Sequence, residues 1–249
     1  MSEQLPTKLD KAPLIDALFE IRFSGNVSVA DALPGYLYSK LDGKKEFERL
    51  PISEMPKSLR EQDPNLKYSP LTKLHWGDYV ISIGDRSLSV ACKMPYPGWA
   101  AFHEAIRTVV GFVKELDVID SVHRFSLKYV DLLPSDDLKE QVSLIKADIS
   151  VGGHELRAEP FHLRLEVSEK DLIHILTIAS SAVVKGIDNV QRKGLIIDVD
   201  TIKSMDDWKG DDWVEGIFSQ LSVVKSCNKK MFFNCLREET IESLGPTYV

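Results

Sequence analysis

The chain has 249 residues, of which 43% are hydrophobic and 28% charged; 31 basic side chains stand against 38 acidic ones, a net charge of −7. This balance excludes wholesale disorder, collagen-like repetition and general affinity for polyanions. No apolar run approaches the roughly 18 residues that a membrane-spanning helix needs.

Residues 1–11 read as a polar lead-in without the apolar stretch of a signal peptide. In residues 12–24, Leu18, Glu20 and Arg22 alternate with Phe19, Ile21 and Phe23, which predicts a strand with one wet face. Residues 28–41 predict a short helix that Pro34-Gly35 interrupts. Residues 42–65 mix both charges with Pro51, Pro56 and Pro64, and read as a surface excursion. Three strands follow in 66–94, with a tight hairpin at Gly84-Asp85. After Pro97-Gly98, Trp99, Phe102, Ile106, Val109, Val110, Val113 and Leu116 recur at helical spacing. In the next strand Val122, Arg124, Ser126 and Lys128 alternate with His123, Phe125, Leu127 and Tyr129. Residues 135–158 read as an ambiguous connection, a short helix plus a strand before Gly152-Gly153. Three strand candidates then occupy 159–200, with Glu169-Lys170-Asp171 as a turn.

A last helix is expected from about 209 to 236. Its apolar stripe is Trp213, Ile217, Leu221, Val224, Met231 and Cys235. Ser204-x-x-Asp207 is a capping-box pattern before it. Asp206, Asp207, Asp211, Asp212 and Glu215 crowd its start, and Lys225, Lys229 and Lys230 lie toward its end, a polarity that suits the helix dipole.

The order of three strands and then a long helix therefore occurs twice. It implies an α+β fold in which antiparallel sheets each pack against a long amphipathic helix. We expect a single domain in this class, with an internal duplication giving two similar halves, 12–134 and 135–249. A sheet covered on one face leaves the other free to be wetted or to bind.

Phosphate-binding loops of the GxxxxGK[ST] or GxGxxG type are absent, as is the GxSxG elbow of serine hydrolases. His103-Glu104 is followed by Arg107, not the histidine of a zinc helix. His162 and His174 lie on adjacent strands near Glu166, a trio that could hold a metal, although strand histidines on a half-wet face are the plainer reading. Cys92, Cys227 and Cys235 form neither a CxxC pair nor an even framework, which suits a reducing cytosol. No catalytic residue, metal or cofactor is expected.

One constellation stands out. Glu20 and Arg22 share a strand face; so do Arg124 and Lys128, and so do Arg164 and Glu166. Converging inside a closed sheet, these faces would line a charged tunnel for phosphorylated small molecules with a divalent metal. Glu20-Ile21-Arg22 resembles the ExExK strand of triphosphate tunnel enzymes, with arginine in place of the second glutamate.

The stretch from Lys11 to Phe23, with Pro13, Asp16 and Glu20-Ile21-Arg22-Phe23, resembles the opening of a sporadically distributed family of uncharacterised prokaryotic proteins of about this length. Phe125-Ser126-Leu127-Lys128-Tyr129-Val130-Asp131 is similar to that family's mid-chain Leu-Arg-Tyr-apolar-Asn segment, with lysine for arginine and aspartate for asparagine. The last helix, with Trp208, Phe218 and Phe232, is similar to the family's C-terminal helix. The resemblance implies no activity. Its patchy distribution implies an accessory role, such as a partner protein in a defence or toxin system.

The expectation is therefore a cytosolic, non-catalytic protein-interaction module. It would bind a protein partner, a basic one given its acidic balance, or associate with itself; neither nucleic acid nor membrane is favoured. The candidate binding residues are Glu20, Arg22, Arg124, Lys128, Asp131, Arg164 and Glu166, with the charged stretch 42–65.

Overall fold

The computed structural model describes residues 5–25, 28–186, 189–206 and 212–248. In chain order the elements are β1 (Lys8–Leu9), β2 (Leu14–Ser24), α1 (Val29–Lys40), β3 (Lys45–Arg49), a 3-10 turn (Pro51–Glu54), α2 (Lys57–Gln62), β4 (Pro70–Trp76), β5 (Tyr79–Gly84), β6 (Ser87–Cys92), α3 (Trp99–Leu116) and β7 (Ser121–Pro134). They continue with α4 (Leu138–Ser143), β8 (Ser150–Val151), β9 (His154–Glu155), β10 (His162–Glu169), β11 (Leu172–Lys185), β12 (Gln191–Ser204), α5 (Trp213–Cys235), α6 (Glu238–Ser243) and β13 (Pro246–Thr247). The mixture of helices with antiparallel sheet is the expected α+β class. No helix among the described residues is long and apolar enough to cross a membrane.

The chain divides into two compact units, 16–127 with 202–222, and 1–15 with 128–201 and 223–249. The division falls inside β7, between Leu127 and Lys128, whereas the sequence placed the boundary of the halves at 134.

In the first unit the strand order is β7-β2-β6-β5-β4-β3, with the residues of β7 up to Leu127. From β2 to β3 the neighbours pair antiparallel. Alternation decides the two faces. Ala17, Phe19, Ile21 and Phe23 are buried, together with Leu88, Val90, Ile81, Ile83 and Leu74 of the neighbouring strands. On this side α1 packs over β4 and β5, and α3 packs over β6 and against α1. Helix α3 buries Phe102, Ile106, Val109, Val110 and Val113 of the expected stripe, and Ala105 beside them, while Trp99 and Leu116 at its two ends are only partly buried. It begins after Gly98, whose φ of +93° suits a residue without a Cβ.

Two expectations for this unit are corrected. Helix α1 runs unbroken through Pro34. A proline removes one backbone bond, but burial of Val29, Leu33 and Leu37 outweighs that loss. The stretch 42–65 is not an unstructured excursion. Its β3 pairs with β4 from Lys45↔Trp76 to Arg49↔Thr72. Its α2 buries Arg60, which bonds Asp85. Mixed charge reads as solvated only until one of the charges finds a buried partner.

In the second unit the order is β10-β11-β12-β7. β10 and β11 pair antiparallel without a break from His162↔Ala179 to Glu169↔Leu172. The core gathers Leu133, Ile145, Leu176, Ile178, Leu195, Ile197, Val199, Phe232, Phe233 and Leu236. The connection 135–158 resolves into α4 and a β8–β9 hairpin turned by Gly152 and Gly153, both at positive φ. β1 pairs with β13, and neither of these strands nor α6 was legible in the sequence. The capping-box Asp207, with Asp211 and Trp208, lies outside the described residues.

Candidate binding surface

The seven candidate residues fall into two groups. Glu20, Arg22 and Arg124 belong to the first unit; Lys128, Asp131, Arg164 and Glu166 belong to the second.

The first group meets. Because odd-numbered side chains of β2 face the helices, Glu20 and Arg22 point to the opposite face, across from Ser89 and Ser87 of β6. The Arg22 Nε donates to Glu20 Oε1 at 2.7 Å, and Arg124 Nη2 donates to the same oxygen at 3.2 Å. All three side chains are between a fifth and a third exposed. Two guanidiniums against one carboxylate leave the cluster one positive charge. The Arg22 guanidinium also lies 4.2 Å from the centre of the Tyr68 ring, a cation–π contact. Tyr68 is held there because its carbonyl accepts from Ser87 Oγ at 2.8 Å. The approach is close: a Cβ on Gly84, at the end of β5, would stand 2.6 Å from the Ser69 carbonyl oxygen, so the chain entering β4 passes there only beside a glycine. The Arg124 Nε is buried and makes no hydrogen bond among the described residues.

The second group does not gather into one site. Lys128 Nζ pairs with Asp198 Oδ2 of β12 at 2.7 Å, not with Asp131. Asp131 is buried on β7, and burial pushes its carboxyl up to about 8, so it is a neutral acid at pH 7. Arg164 and Glu166 stand exposed on β10, opposite Thr177 and Ile175, and neither forms an ion pair among the described residues.

The histidine trio separates. His162 pairs in register with Ala179, while His174 pairs with Val167. His174 is fully buried; its Nδ1 lies 2.9 Å from Thr201 Oγ1, which accepts from Asn228 Nδ2 at 3.0 Å. Burial holds this imidazole below its ordinary value, with Lys230 acting in the same sense and Glu169 opposing. Among the described residues no group of three or more His, Cys, Asp or Glu is placed to hold a metal ion.

Burial raises the thiols of Cys92 and Cys235 to about 12 and about 11, which leaves them un-ionised near neutrality. A cleft of about 440 Å³ in the second unit is lined by Leu5, Pro6, Lys146, Phe233, Glu238 and Tyr248.

Sequence reasoning missed Tyr68, Arg60, Asp85, Thr201 and Asn228. Each acquires its role from a partner distant in the chain, so no spacing rule points to it. No protein-family model matches the chain, and no curated protein matches it.

Proposed function

We propose that this chain is a non-catalytic cytosolic binding module that engages an acidic group of a protein partner through the sheet face opposite α1 and α3, around Arg22, Arg124 and Tyr68. The accessory role in a defence or toxin system that the resemblance implies is compatible with such a module. One observation carries the reading. Two guanidiniums share a single carboxylate oxygen, so their remaining donors, with the buried Arg124 Nε, have no anion of their own among the described residues. Guanidinium donors in a partly desolvated setting bind a planar carboxylate in bidentate fashion. The local charge is opposite to the net charge of the chain. The acidic balance as a whole is therefore a poor guide to what this face prefers.

The finer architecture belongs to the same proposal. The chain repeats one plan in sequence order, a strand, a helix, three strands and a long helix: first β2, α1, β4 to β6 and α3, then β7, α4, β10 to β12 and α5. In each, the leading strand lies beside the last of the three strands. That shared order supports an internal duplication.

The test is capture from native cells with the wild-type chain and with Arg22→Ala/Arg124→Ala, followed by quantitative mass spectrometry. A partner that binds through an acidic segment and is lost with the double variant supports the reading. Identical capture profiles would overturn it. The same surplus donors favour a second reading, a site for phosphorylated small molecules with a divalent metal. Thermal unfolding against tripolyphosphate and nucleoside triphosphates, with and without Mg²⁺ or Mn²⁺, addresses that one. A ligand at about 100 times its Kd adds about 2.7 kcal/mol, a shift of several degrees, and a flat panel would dismiss it.

A further inference from the structure

β10 stands at one end of its strand order, so one of its backbone edges pairs with no strand among the described residues. Exposed edges are commonly blunted by proline, a bulge or clustered like charge. β10 reads His-Leu-Arg-Leu-Glu-Val-Ser-Glu, without proline, and its register with β11 is unbroken. The Phe161 carbonyl accepts from Ser180 N at 3.0 Å. In an antiparallel ladder the direction of the backbone groups alternates residue by residue. Leu163, Leu165 and Val167 therefore turn their amides toward β11, and His162, Arg164, Glu166 and Ser168 turn theirs outward. Leu165 is 41% exposed although its cross-strand neighbour Leu176 is 6% exposed, so the apolar face of this strand lacks the cover that β11 has.

We infer that β10 is a self-association edge, and that two copies of this chain join antiparallel about a two-fold axis through Leu165. The sequence around that residue is self-complementary. The two-fold sets Arg164 against the Glu166 of the second copy, Leu163 against its Val167, His162 against its Ser168, and Leu165 against itself. The outward-facing residues then form four hydrogen-bonded pairs, each exchanging two backbone bonds. Two Arg–Glu pairs lie on the wet face, and the Leu and Val pairs bury one another on the other. Shifting the axis by one residue, to Arg164 or Glu166, sets like charge against like charge, so charge disfavours both neighbouring registers. β3, at the end of the strand order in the first unit, behaves in the opposite way: a two-fold at Phe47 sets Glu46 against Glu48 and Lys45 against Arg49. Isologous closure of this kind uses each edge once and ends at a dimer.

The experiment is sedimentation equilibrium of the full chain over a wide concentration range, on the wild type, Arg164→Glu, Glu166→Arg and the double charge swap. The wild type is expected to dimerise. Each single variant sets two like-charge pairs across the axis and weakens dimerisation roughly tenfold or more, and the double swap restores it. Both positions are exposed, so the thermal midpoints of the variants serve as the control for folding. Amide hydrogen exchange adds a local readout: Arg164 and Glu166 gain protection with concentration, whereas Leu163 and Leu165 are protected throughout. A wild type that stays monomeric at every concentration overturns the inference. So do single variants that dimerise as the wild type does, or a double swap that fails to recover.

Discussion

Arg60 donates to Asp85 twice, from Nε at 3.0 Å and from Nη2 at 2.7 Å, and both side chains are buried. Arg60 Nη1 also donates to the Met55 carbonyl, so this one side chain ties the 3-10 turn and α2 to the β5–β6 hairpin. Asp85→Asn leaves a guanidinium buried without its counter-ion, and a loss of about 3–5 kcal/mol is expected. Replacing the pair with Arg60→Met/Asp85→Leu costs much less, because nothing charged then remains buried. Urea denaturation of the three proteins measures both effects. Equal losses in the single and double variants would show that packing and not charge holds this segment.

Asp131 gives stability a pH dependence of definite sign. Its folded carboxyl titrates at about 8, above the roughly 4 of an exposed aspartate. Between those values the native state holds a proton that the unfolded chain has lost. This residue's contribution is therefore fully present below about pH 4 and is lost as the pH rises toward 8. Asp131→Asn should remove that component of the slope and exceed the wild type at pH 8 by about 1 kcal/mol or more. Denaturation midpoints at several pH values decide it. An unchanged slope in the variant would mean that the carboxyl is already ionised when buried.

Glu20 separates the two readings of the sheet face. Glu20→Gln removes the carboxylate that Arg22 and Arg124 share and leaves two unbalanced cations. An anion-recognising face then binds tripolyphosphate more tightly, whereas a metal-dependent phosphate site loses its carboxylate ligand and binds less. Isothermal titration with and without Mg²⁺ reads the sign directly. The variant's own stability should fall by about 1 kcal/mol at most, because all three side chains are partly exposed.

Thr201 sits between two buried polar groups. Thr201→Val keeps the shape but strands His174 Nδ1 and takes from Asn228 Nδ2 one of its two acceptors, leaving it the Val199 carbonyl at 2.7 Å. The cost should be about 1–3 kcal/mol, since buried donors and acceptors lose their partners without regaining water. Thermal unfolding at fixed pH checks it, with Thr201→Ser as the variant that retains the hydroxyl.

Gly194 is set by proximity, not by backbone angle. A Cβ there would stand 2.2 Å from the Leu133 carbonyl oxygen. Gly194→Ala should therefore separate β12 from β7 locally and lower the unfolding midpoint, whereas Gly111→Ala in α3, where a Cβ meets nothing, should raise it slightly. The two midpoints measured side by side make the comparison.

Periodicity explains what was legible. In β2 the alternation of Phe19, Ile21 and Phe23 with Glu20 and Arg22 states which side chains share a face, because the strand repeat is built into the backbone. In α3 the recurrence from Phe102 to Val113 states the buried stripe in the same way. Of the candidate site, the shared face of Glu20 and Arg22 could be read, and so could their charge. That Arg124 reaches the same carboxylate oxygen could not, because it lies 104 positions away in the chain. Lys128 shows the limit most simply. Its nearest acidic residue in sequence is Asp131, yet it pairs with Asp198 while Asp131 is buried as a neutral acid.

The sequence by itself determined the class and order of the long strands and helices and the wet and dry faces of β2 and α3, since these follow from the two- and 3.6-residue repeats of a single segment. Tertiary structure alone decided which strand lies beside which, and therefore which charges are spent on one another and which remain for a partner. Strand pairing is settled by backbone hydrogen bonds and burial between distant segments, and those energies exist only once the segments have met.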